Sequence, residues 1–157
     1  MKKVLVVLLT MMGAFMLEAE TLDVVLKALI EVESHGDVNA IGDHGTAWGC
    51  LQIRQACLDD VNRFEAIHAR NEKRVAKHYT KKDCFSKQKS LEIAKIYLTY
   101  WCKNYEQTTG KKANARTIAL IWNAGPYKAK KIAWTQEYWA KAAKELVKLG
   151  YSKLTIC

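Results

Sequence analysis

Proline is nearly missing from this chain: Pro126 is the only one in 157 residues. No Gly/Ser/Pro-rich stretch of the kind that separates domains occurs, nor any internal repeat or low-complexity tract. No two cysteines or histidines have the short spacing of zinc ligands, so neither a metal nor a cofactor is expected. Acidic residues are also scarce, with 16 Asp and Glu against 25 Lys and Arg, a formal charge of +9. After the first 17 residues no segment is apolar enough to cross a membrane.

The amino terminus has a recognisable plan. Met1, Lys2 and Lys3 precede an uncharged run from Val4 to Leu17, and Ala19 follows between Glu18 and Glu20. A basic start, a short apolar stretch and a small residue before the cut make a secretory leader, expected to span 1–19. An uncleaved amino-terminal anchor is the alternative. Residues 20–157 then form one domain, exported to the periplasm or the outside of the cell. The leader carries one net positive charge, so that domain stays near +8. Its partner is expected to be a polyanion, and an exported protein meets the acidic cell wall rather than nucleic acid. Five cysteines, Cys50, Cys57, Cys84, Cys102 and Cys157, allow at most two internal disulfides, with connectivity open.

Periodicity reads mostly as helix. Thr21 is a candidate N-cap for a helix whose Leu22, Val25, Leu26, Leu29 and Ile30 form an apolar stripe ending at Gly36. Glu33 follows Leu29 by four and Ile30 by three, which puts it at the carboxyl end of that stripe, whereas Glu31 points roughly 200° away. Residues 36–49 hold four glycines among Asp37, Asn39, Asp43 and His44, the chemistry of a structured loop or small hairpin. Helical pattern resumes near Ile53 and runs through Asn62. It recurs from a cap at Ser86 or Ser90 to Gly110, from Asn114 to Asn123, and from Thr135 to Leu149. The expected fold is all-α, with a loop or β-hairpin after the first core helix.

Three segments stand in order: Glu33-Ser34, Gly49-Cys50-Leu51-Gln52, and Trp122-Asn123-Ala124-Gly125-Pro126. Together they resemble the lysozyme-like lytic transglycosylases, over roughly Leu26 to Ala129. That family has a helix ending in Glu-Ser, then Gly-Leu-Met-Gln, then a Tyr-Asn-Ala-Gly-Pro-like turn. Cys50, Leu51 and Trp122 depart from the pattern, so contacts to the sugar can differ. The resemblance implies a monomeric lysozyme-like domain that cleaves the β-1,4 bond between N-acetylmuramic acid and N-acetylglucosamine in peptidoglycan. It implies Glu33 as general acid and then base, with Ser34, Gln52, Trp122 and Asn123 lining the substrate cleft.

Chemistry suits the position. A glycosidic leaving oxygen needs a proton, and an acid at an apolar helix end keeps its proton to higher pH. A second carboxylate decides the outcome: a transglycosylase closes an anhydro ring with one Glu, whereas a hydrolytic lysozyme often adds an Asp. Asp43 is the candidate, since Gly42-Asp43-His44-Gly45 has a local likeness to invertebrate-type lysozymes. Equally, Asp43 can serve as a loop residue satisfying backbone groups. A catalytically silent wall-binding module is the reading from another class. A membrane-active or nucleic-acid-binding protein would need a basic face, which Lys141, Lys144 and Lys148 approach only as the solvated side of the last helix.

Overall fold

In the computed structural model, residues 21–127 and 132–151 are described; the expected leader at 1–19, residues 128–131 and Cys157 lie outside them. The first helix, α1, runs through residues 21–34. Thr21 is already helical, so it is not the residue that precedes the helix. Val25, Leu26, Ala28 and Leu29 are fully buried, each large side chain contributing roughly 1.5–3 kcal/mol by leaving water. The helix stops where His35 and Gly36 take left-handed φ values of 52° and 84°, the Gly36 N–H closing back on the Ile30 carbonyl.

The glycine-rich stretch is a three-stranded antiparallel meander: β1 (Ile41–Gly42), β2 (Ala47–Trp48) and β3 (Ile53–Arg54). Trp48 pairs with both Ile41 and Ile53. Ile53 is therefore a strand residue and not the start of a helix. A short apolar residue next to Gln52 fits either period, and cross-strand pairing with a buried Trp48 decides it.

Helix α2 (Gln55–Asn71) extends nine residues beyond the expected end at Asn62, because Phe64, Glu65 and Ala69 continue its buried side. A 3₁₀ turn (Lys81–Phe85) leads into α3 (Lys87–Thr109). Ser86 is the N-cap, accepting from the Lys89 N–H; Ser90 is buried and donates to the Cys84 carbonyl. Asn114 caps α4 (Ala115–Ala124) through the Thr117 N–H, and Gly125 ends it. Helix α5 covers Ile132–Lys148, starting three residues earlier than the periodicity indicated. Helix α2 packs on α3, α3 on α4 and α4 on α5, and the buried side chains of α1 and the sheet join the same core. The fold is thus mostly helical with a small sheet after the first core helix, and no helix among the described residues is long and apolar enough to cross a membrane.

The disulfides allowed by the cysteine count are not formed among the described residues: Cys50, Cys57, Cys84 and Cys102 are thiols. Cys50 and Cys84 are fully buried and the other two pack against the core. Burial pushes the Cys84 and Cys102 thiols up to about 12.

Candidate active site around Glu33

Glu33 occupies the last turn of α1, half-buried beside a fully buried stripe. Tyr138, on the second turn of α5, donates its hydroxyl to Glu33 Oε1 at 2.6 Å. The Trp122 indole and the Arg54 guanidinium also act on this carboxyl, each favouring its charged form. Burial raises the Glu33 pKa. Tyr138, Arg54 and Trp122 each favour the carboxylate, yet desolvation outweighs them and the net shift is upward. Tyr138 is raised in turn, by burial and then by the charge of Glu33. The site therefore holds a shielded carboxyl to which Tyr138 donates, with Trp122 and Arg54 acting on it as well.

Glu31, its neighbour by sequence, is half-exposed and sits 3.1 Å from His35 Nδ1 on the outer side. Two residues along a helix separate a shielded acid from a solvated one, as the 3.6-residue period requires.

The other sequence-derived residues divide. Trp122 comes to Glu33, with its ring edge-on to Tyr97 at 5.9 Å. Ser34 is adjacent, but its hydroxyl donates to the Cys50 carbonyl at 2.9 Å; it ties the end of α1 to the β2–β3 turn. Gln52, with φ of 50°, folds back so that Nε2 donates to the Gly49 carbonyl at 2.9 Å, and its Oε1 covers Gly42, where a Cβ would collide with it. Both side chains are thus engaged with the backbone of the meander. Asn123 is exposed on the last turn of α4. Asp43 is half-exposed, lies in a left-handed turn (φ 47°), and forms an ion pair with Arg54.

Two participants escaped the sequence reading, Tyr138 and Arg54. Tyr138 precedes Ala142 by four and Leu146 by eight, and both of those are fully buried, so helical spacing could have placed it inward. Arg54 had no such signal, since a strand-end arginine beside a loop aspartate is common on surfaces. His35, His44, His68 and His78 are all exposed, and no three or more His, Cys, Asp or Glu among the described residues could hold a metal ion. A separate cavity of about 530 Å³, lined in part by Glu65, Arg74, Lys77 and Glu92, contains none of these site residues.

No protein-family model, curated protein or solved structure matches this chain.

Proposed function

We propose that this protein is a lysozyme-like enzyme that cleaves peptidoglycan glycan strands as a lytic transglycosylase, with Glu33 as acid and then base. The observation that carries the reading is the shielded Glu33 carboxyl, its pKa raised by burial and its Oε1 held by Tyr138. Such a group keeps its proton to higher pH than an ordinary carboxyl and can deliver it to a glycosidic oxygen. Once the leaving group departs, the same oxygen, now a carboxylate, can take the proton of a substrate hydroxyl as the anhydro ring closes. Tyr138 and Trp122 stabilise that charged stage.

The state of Asp43 favours this one-acid route over hydrolysis. A carboxylate that attacks or positions water must face the reacting carbon, and Asp43 is directed instead to the Arg54 guanidinium in an exposed turn. Ser34, Gln52 and Asn123 support the reading as wall and rim. A basic chain suits an anionic wall polymer.

The test is mass spectrometry of purified peptidoglycan digested by the protein. Anhydro-ended fragments are expected. Reducing ends, one water heavier, would replace the transglycosylase with a hydrolase, and no cleavage at any pH would leave the silent binding module.

A further inference from the structure

Two exposed tyrosines share one buried anchor. Tyr127, just past the end of α4, is 81% exposed, and Tyr100 on α3 is 41% exposed. Both rest on Trp101, which is buried: their ring centroids lie 5.5 Å and 5.2 Å from its own, each edge-on. The two phenols are therefore no farther apart than those distances laid end to end. Tyr100 also stacks on the buried Phe64 of α2 at 3.6 Å and 12°. Trp101 is pinned in turn, its Nε1 donating to Asp60 Oδ2 at 3.1 Å. The other oxygen of Asp60 accepts from Arg63 Nη2 at 2.8 Å, and the Arg63 guanidinium lies 5.0 Å from the Phe64 ring centre. Arg63 is more than half exposed, and a guanidinium carries five N–H donors, so donors remain for another acceptor.

This mixture of groups selects its occupant. The face of a phenol ring is electron-rich and suits the C–H face of a sugar ring, while a carboxylate and a guanidinium at its side suit the sugar's hydroxyl and amide rim. An apolar helix of a partner protein would need aliphatic surface, whereas here the exposed rings carry hydroxyls and stand beside charges. We propose that Tyr100 and Tyr127, with Asp60 and Arg63 at their side, form a carbohydrate-holding platform on which neighbouring sugars of a glycan strand stack. The inference deepens the proposed function and rests on it for the kind of sugar, a chain of N-acetylated amino sugars. It shares no residue with the Glu33 site, so the platform holds the strand and takes no part in breaking a bond.

The experiment is calorimetric titration of chitohexaose into the full chain carrying Glu33→Gln, which keeps the probe intact, with ¹H–¹⁵N NMR on the same sample. Tyr127→Ala is expected to weaken binding about three- to tenfold, and Tyr127→Phe to stay within about twofold, because the ring face and not the hydroxyl makes the contact. Amide shifts on adding the probe should include Asp60, Arg63 and Tyr100. Tyr100→Ala should weaken binding too, but its stack on Phe64 ties it to the core, so Tyr127, whose side chain stands mostly in water, decides. Unchanged affinity in Tyr127→Ala, an equal loss in Tyr127→Phe, or no binding of chitohexaose by the parent overturns the proposal. So does Tyr127-dependent binding of phosphatidylglycerol vesicles in place of the sugar. If the wild-type chain binds through Tyr127 yet releases no fragment from walls, the enzymatic reading falls and the platform stands. If it cleaves walls with KM unmoved by Tyr127→Ala, the platform falls and the enzymatic reading stands.

Discussion

A carboxyl whose pKa is raised by burial has opposite consequences for chemistry and for folding. Glu33→Gln keeps the size and hydrogen-bonding reach of the side chain but has no transferable proton. Wall cleavage should fall on the order of a hundredfold or more, whereas Glu31→Gln, on the solvated side, should retain most of it. The sign of the stability effect follows from the raised Glu33 pKa. The folded state binds that proton more tightly than the unfolded chain, so the contribution is fully present below the ordinary carboxyl value of about 4.3 and is lost as pH rises through the folded value. Glu33→Gln should therefore melt above wild type at pH 7, with the gap closing toward pH 4; a variant that melts lower at pH 7 would contradict the burial of this group. Tyr138→Phe removes a donor to the carboxylate. The basic limb of its activity profile should move to higher pH while the maximal rate falls, since the carboxyl loses the contact that aims it.

At the scale of elements, the β-meander is the tightest part of the site's frame. Gly49 has φ of 71° and its Cα faces the Cys84 carbonyl so closely that a Cβ would overlap it. Both atoms are backbone, so neither can swing aside. Gly49→Ala should cost about 3 kcal/mol or more, whereas Gly36→Ala, with nothing near its Cβ position, should cost only about 1 kcal/mol of left-handed strain; urea unfolding of the two variants compares them directly. The helices α1, α3 and α4 were legible because apolar spacing and local stops, Gly36, Gly110 and Gly125, agree with one another. The meander was half legible. Turn residues announced a hairpin, but strands of two residues carry too little pattern to mark a third, and Ile53 was taken for helix. Within the site, Glu33 and Trp122 could be read from motifs and spacing. The Asp43–Arg54 pair could not, because eleven residues of turn and strand separate partners whose meeting depends on the register of β2 with β3.

For the whole molecule, a formal charge of +9 adds long-range attraction to any anionic polymer. Screening reaches about 10 Å at 0.1 M salt and about 3 Å at 1 M. Cleavage of intact walls should therefore slow as salt rises, while cleavage of a short uncharged chito-oligosaccharide, where accepted, should change little; an equal fall on both would place the salt effect on the fold instead. The contact between Glu33 and Tyr138 spans 105 positions of the chain, and it imposes an order in time. Glu33 leaves the ribosome before its partner, which follows roughly five to twenty seconds later at ordinary synthesis rates. Until α5 docks on α4, the acid faces water, without the phenol that holds it and with less of the burial that raises it. If the proposed function holds, a nascent or truncated chain ending before Ile132 should thus be inert toward glycan, the acid being completed only by the closure of α5 over a residue synthesised well before it.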